Sequence, residues 1–154
     1  MEFETIDLTK HRDMVIRFRK DSFQVSFGTT SDFGKEDVYL NWLETKIKAF
    51  PKGFVMVKED EKYIGQVELS IREYKGKDIG YVHLFYLIPE KRGAGKGHAL
   101  HPYAMQFFKN YDVKEYYLRV SPSNTHAYMF YRKIGMVDIG PELNGKVIRM
   151  KGRI

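Results

Sequence analysis

The sequence predicts a mixed α/β domain: a central, mostly antiparallel sheet of six to seven strands with about four helices. Three observations carry this. Between Phe54 and Ile88, apolar or alternating runs are separated by charged and glycine-containing turns, the pattern of an antiparallel meander. Elsewhere, apolar residues recur at helical spacing in separate segments. Between Tyr81 and Leu100 an apolar run stops at Pro89, passes through a glycine-rich turn and continues with helical periodicity. At 154 residues the chain is expected to form one domain, 1–154.

Taken in order, Phe3 to Leu8 alternates as an edge strand would. Thr9 offers an N-cap, and a helix is expected from Lys10 to about Gln24 with Met14, Val15 and Phe18 inward. Residues 27–34 are rich in turn formers and read as a loop. A second helix runs from about Lys35 to Phe50, with Val38, Leu40, Trp42, Leu43 and Ile47 partly buried, and stops at Pro51-Lys52-Gly53. Phe54–Val57 is a strand. Tyr63–Glu73 alternates, with Val67, Leu69 and Ile71 on one face and Gln66, Glu68, Ser70 and Arg72 on the other. The central strand is Ile79–Ile88, and Pro89 ends it because it lacks an N–H and fixes its own φ. A helix follows from about Gly95 to Asn110, with Pro102 inside it predicting a kink or a late start. Val113–Val120 is a strand. Pro122, Ser123 and Asn124 open the last helix, which ends at Gly135, and Met136–Ile139 with Gly145–Met150 closes the chain as a hairpin.

Composition excludes several classes. There is no cysteine, so neither a disulfide framework nor thiolate chemistry is available. No apolar run approaches the ~20 residues that span a bilayer, and the acidic start MEFETIDLTK lacks a signal-peptide core; no membrane partner is expected, and the cytoplasm is the expected location. The five histidines do not pair with carboxylates at ligand spacing, so no metal is expected. The net charge of +6 suits nucleic acid, a polyphosphorylated cofactor or simply a solvated surface. Because the basic residues are spread along the chain, the second reading is preferred and no nucleic acid is expected.

The turn Arg92-Gly93-Ala94-Gly95-Lys96-Gly97 opens a helix whose first N–H groups lack internal partners and whose dipole adds positive charge. Glycines let an anion approach closely, and Arg92 and Lys96 add cations, so the turn reads as a phosphate cradle or, from glycine count alone, equally as an ordinary tight strand-to-helix loop. It is not a Walker A loop, because Gly95-Lys96 is followed by Gly97 and not by Ser or Thr. It is not a dinucleotide fingerprint either, because His98 stands where the last glycine is needed.

What remains, Arg92-x-x-Gly95-x-Gly97, resembles the acetyl-CoA signature of the GCN5-related N-acetyltransferases, the GNAT family. Downstream, Asn124, Ala127, Phe130, Tyr131 and Gly135 match the family's Asn-x-x-Ala-x-x-Φ-Tyr-x-x-x-Gly-Phe pattern, with Met136 in place of the usual Phe. The resemblance implies a GNAT-like sheet with splayed parallel strands at a cofactor cleft, acetyl-CoA as acetyl donor, and transfer to a primary amine by direct attack in a ternary complex. It implies that Arg92, Gly93, Gly95, Lys96 and Gly97 hold the diphosphate, that the backbone of Leu87 and Ile88 bonds the pantetheine arm, and that Asn124 assists. Tyr131 falls where the family places its acid; a phenol of pKa about 10 can protonate a thiolate whose thiol has pKa about 8.5. From spacing alone Tyr131 is equally a core tyrosine, and Asn124 an N-cap.

An alkylamine, pKa near 10.4, must lose a proton before attack. His83, expected on one face with Tyr81 and Phe85, is one candidate base, or equally a satisfied core histidine; Glu68 on the preceding strand is another candidate, and ordered water a third. Asp32, Glu36, Asp37 and Glu44 would attract an ammonium group, or simply form a solvated helix face; Phe27 and Phe33 would shape an acceptor pocket or join the core. The acceptor is expected to be a small-molecule or peptide amine, and a homodimer is compatible with this reading. A non-catalytic acyl-CoA sensor and a basic nucleic-acid-binding domain are the alternatives.

Overall fold

In the computed structural model, which describes residues 1–93 and 95–154, the alternating stretch forms three long antiparallel strands. They are β2 (Phe54–Glu59), β3 (Lys62–Tyr74) and β4 (Lys77–Leu87). Two-residue turns join them. Asp60 and Glu61, then Lys75 and Gly76, all take positive φ, as tight hairpins require. The short β1 (Glu2–Thr5) pairs with β2 at one edge. β5 (Glu115–Val120), β6 (Val137–Glu142) and β7 (Val147–Arg153) complete a seven-stranded sheet in the order β1-β2-β3-β4-β5-β7-β6. Among the described residues only β4 and β5 run parallel, because the helix α3 (Gly97–Lys109) crosses over between them. The other helices are α1 (Arg12–Phe27), α2 (Glu36–Ala49) and α4 (Thr125–Lys133), with single turns at Ser31–Phe33 and Pro89–Lys91.

Several sequence expectations shift. β1 stops at Thr5, because Asp7 starts a turn: its carbonyl accepts from the N–H groups of Lys10 and His11. Thr9 does not cap α1; its hydroxyl donates to Asp7 at 2.6 Å, and the helix begins at Arg12. On α2 the buried stripe is Tyr39 and Leu43, which leaves Val38, one position off that stripe, 63% exposed. α3 starts at Gly97, two residues later than expected. Pro102 still lies inside it, so the His98 carbonyl loses its helical donor.

The sheet's two faces carry different loads. Val67, Leu69 and Val82 pack toward α3, where Leu100, Ala104 and Phe108 are buried in the main core. Gly80 on this face is required by close approach: a Cβ there would lie 2.5 Å from the Phe108 ring. The opposite face of β3 carries Gln66, Glu68 and Ser70, all buried beneath α1 and α2.

Two register slips matter. On β4, Leu84 pairs with Glu68 and Val82 with Leu69, so His83 is an extra residue, a β-bulge. Past it the alternation inverts: Phe85 pairs with Val67 on the α3 face, whereas Tyr81 pairs with Ser70 on the other. The expectation that His83 shares a face with both Tyr81 and Phe85 therefore holds only for Tyr81. On β6, Asp138 pairs with Met150 and Gly140 with Arg149, which bulges Ile139 out beside Pro141.

Candidate active site

β4 and β5 pair only at Gly80–Tyr116 and Tyr81–Tyr117. Beyond these the strands part, and a cleft of about 1500 Å³ opens, lined by α1, β4, the glycine turn, β5 and α4. The apolar stripe of α4, with Ala127, Phe130 and Tyr131, is only half-buried because it faces this cleft and not the core.

At the end of β4 the backbone is specific about what it offers. The Ile88 N–H donates to the Ile64 carbonyl at 2.9 Å, and its own carbonyl accepts from the Lys91 N–H at 2.9 Å. Ile88 is therefore closed, contrary to the sequence expectation. Bonded pairs alternate along an antiparallel ladder, so Leu87, opposite Gly65, turns its polar groups toward the gap. Its carbonyl is held by Arg92 Nε at 2.8 Å, which leaves the N–H facing the cleft. By the same alternation Phe85 presents its N–H and C=O there, a site residue that side-chain pattern could not reveal.

In the turn, Gly93 and Gly95 have φ of 76° and 75°, a left-handed backbone that only glycine adopts without strain. Ala94 lies outside the described residues. Among the described residues the N–H groups of Gly93, Gly95, Lys96 and Gly97 find no acceptor, as an anion cradle requires. The two cations are engaged elsewhere: Arg92 with Asp21 at 2.6 Å, Lys96 with Glu59 at 3.0 Å. Arg92 thereby braces the end of β4 against α1.

Tyr131 lines the cleft, and among the described residues its hydroxyl has no partner. Burial, with Tyr116 nearby, pushes its pKa well above the usual phenol value, so it stays protonated at neutral pH. Asn124 is the N-cap of α4: its Oδ1 accepts from the Ala127 N–H at 3.3 Å, while its Nδ2 donates to Ser26 Oγ on α1 at 3.3 Å.

Behind the other end of the cleft lies a buried polar group that sequence reading only partly found. Arg19 Nη1 donates to Glu68 Oε1 at 3.0 Å and to the His83 carbonyl at 3.2 Å, capping the carbonyl that the bulge frees from the ladder. Tyr39 and Gln66 donate to the other Glu68 oxygen. Glu68 is fully buried and does not line the cleft, so the geometry makes it the anchor of Arg19. Arg19 falls four residues after the buried Val15, and a charge on the apolar stripe of a helix was its available signal.

His83 does line the cleft, against Trp42 and Tyr81, with Nε2 2.7 Å from Ser70 Oγ. Burial, then Arg19, Arg72 and Lys46, lower its pKa to about 3. It is neutral at pH 7, able to accept a proton in passing but not to store one. Because the folded pKa lies below the ordinary 6.5, the unfolded chain binds this proton first, and His83 costs stability as pH falls from 6.5 toward 3. An NMR titration of the ring is expected to show no protonation between pH 8 and about 5; a midpoint near 6.5 would place the ring in water.

The carboxylates expected to draw in an ammonium group are otherwise occupied. Asp32 pairs with Lys146 at 2.6 Å, Glu36 with Lys20 at 2.7 Å and Glu44 with Lys48 at 3.3 Å, while Asp37 accepts from the Val38 N–H. Phe27 lines the cleft, whereas Phe33 packs on Phe23 and Tyr39.

Comparison with known proteins agrees with this architecture. The family model described as "Acetyltransferase (GNAT) family" matches residues 13–136. The chain belongs to the GNAT acetyltransferase family. No curated relative matches it in sequence. Among solved structures it is similar to PH1933 from Pyrococcus horikoshii OT3 (TM-score 0.76, 22% identity, covering 99% of this chain and 98% of that one). It is also similar to the PaiA N-acetyltransferase of Thermoplasma acidophilum in complex with coenzyme A (0.72, 19%, 99% and 98%). A third is the ribosomal-protein-alanine N-acetyltransferase of Brucella melitensis (0.74, 12%, 100% and 100%).

Proposed function

We propose that residues 1–154 form a single N-acetyltransferase domain that moves the acetyl group of acetyl-CoA to a primary amine by direct attack in a ternary complex. The observation that carries this reading is the continuity of the cleft. It runs from the N–H groups of the glycine turn, past the outward N–H of Leu87, to the Tyr131 ring and on to His83. Coenzyme A bound in related acetyltransferases supports acetyl-CoA as donor.

In this reading, Gly93, Gly95, Lys96 and Gly97 bind the diphosphate through main-chain N–H groups. Arg92 and Lys96 exchange Asp21 and Glu59 for phosphate oxygens. Leu87 and Phe85 orient the pantetheine arm by strand-like bonds, with Asn124 beside it. The amine nitrogen forms its bond to the acetyl carbon as the carbon–sulfur bond breaks. Tyr131 gives its proton to the departing sulfur. The amine first loses its ammonium proton through His83 to the water of the cleft; its nitrogen sheds a second proton as the amide forms, which restores the Tyr131 hydroxyl, and Glu68 acts at one remove, by fixing Arg19 and the bulge. With no cysteine in the chain, no thiol is present to carry the acetyl group between the two substrates.

Thiol release from acetyl-CoA across a panel of amines, with calorimetric titration of CoA alone, tests the proposal. CoA binding together with amine-dependent thiol release is expected. Binding without turnover on any amine would favour a sensor, and no binding would end the reading.

A further inference from the structure

Among the described residues that line the cleft there is no aspartate or glutamate, but there are six Arg and Lys. Arg92, near the glycine turn, and Arg132 and Lys133, on α4, border the half assigned above to the cofactor. Arg19 is neutralised from behind by Glu68. Arg72 and Arg119 remain, and they lie at the far end. There the sheet face shared with His83 carries Arg72 on β3, Tyr81 on β4, Tyr117 and Arg119 on β5 and Arg149 on β7, neighbours by strand register.

Arg72 is exposed, lies 4.5 Å over the Tyr81 ring, and has no carboxylate partner among the described residues. Arg119 and Arg149 share one carboxylate, Glu142, each at 2.9 Å. Arg72 and Arg149 lie over the Tyr81 ring, 4.5 and 6.0 Å from its centroid, and Arg119 is a neighbour by strand register, so the three guanidiniums share a single counter-charge. Tyr81 is only 5% exposed, yet its hydroxyl makes no hydrogen bond to a described residue. It lines the cleft, so this O–H is available to donate to what enters.

This cluster is too remote to serve the cofactor diphosphate. Tyr81 precedes Leu87 by six strand residues, about 20 Å, and the glycine turn lies beyond. It is close to His83, whose ring centroid is 4.8 Å from that of Tyr81.

We infer that Arg72, Arg119 and the Tyr81 hydroxyl form an anion subsite for a carboxylate on the acceptor, so that the substrate amine belongs to a molecule bearing an acid group and not to a polycation. An amine placed at His83 would have its carboxylate about 6–7 Å away, two residues along the strand. A guanidinium fork and a phenol suit a carboxylate, whereas an oligoamine would meet only like charge. The inference rests on the N-acetyltransferase reading for the amine's placement, but its test needs no turnover.

NMR titration of the CoA-saturated protein with N-acetylglutamate and its diamide, and with Ac-Ala-Glu-NH2 and Ac-Ala-Gln-NH2, measures the preference for charge. The two pairs distinguish a free amino acid from a peptide as its source. In at least one pair the acid should bind about tenfold more tightly, as for a charge-assisted bond. The ratio should fall to about one in Arg72→Gln and decline in Tyr81→Phe. Arg72 is exposed and makes no hydrogen bond to a described residue, so its substitution removes only its stacking on Tyr81, and a melting curve checks that the fold is kept. Acid and amide bound equally in both pairs by the unmodified protein, or N-acetylspermidine bound more tightly than any acid, would overturn the subsite. Failure of acetyl transfer with the acid preference intact would count against the enzyme reading alone.

Discussion

Tyr131→Phe is expected to lower kcat by about 100-fold at neutral pH, the contribution of a positioned general acid, with CoA affinity unchanged. The substitution removes one O–H and nothing else. That hydroxyl has no partner among the described residues, so its loss strands no donor or acceptor, and the melting temperature should stay within a degree or two. The raised pKa adds a second expectation. Tyr131 remains protonated through the working range, so the unmodified enzyme should show no alkaline fall in kcat attributable to it below pH 10. Thiol release at saturating amine between pH 6 and 10, with calorimetry of CoA binding, measures both. A variant that keeps the full kcat would hand the proton to water.

Glu68→Gln should act on the fold. It keeps the volume but leaves the Arg19 guanidinium, whose side chain is 19% exposed, without its counter-charge. Removing one partner of a buried pair costs about 3–5 kcal/mol; the partial exposure of Arg19 points to about 3. For a chain of this size that lowers the melting temperature by roughly 6–12 °C. Arg19→Met combined with Glu68→Gln should recover much of the loss, because removing both charges is close to neutral. The double variant should nonetheless turn over poorly, since nothing then caps the His83 carbonyl. Thermal melts of the four members of this cycle separate pair energy from packing; additive losses would show that the two side chains do not act together.

The elements that position the site were legible wherever local chemistry decides structure. Pro89 had to end a strand, the glycine turn had to open a helix, and the alternation of Tyr63–Glu73 had to be a strand. What escaped was set by partners. The bulge at His83 is a slip between two strands, and neither strand's own periodicity records it; hence Phe85 was placed on the wrong face. The polar side of β3 looks the same in sequence whether water or two helices cover it, and here α1 and α2 do. Ile88 and Leu87 differ in function only because ladder bonds alternate, a property of pairing and not of residue type. The α4 stripe had the periodicity of a core helix, but it borders an opening and not an interior.

The slip that pushes Ile139 out of β6 has a consequence at a larger scale. A flat outer strand is a template on which another chain can add its own backbone. Here that strand is interrupted in mid-course, and Pro141 withholds an N–H from anything that would dock beside it, while at the opposite margin β1 offers only Glu2–Thr5. Val137 and Ile139 can therefore sit half in water, 51% and 48% exposed, on a border that resists edge-to-edge aggregation.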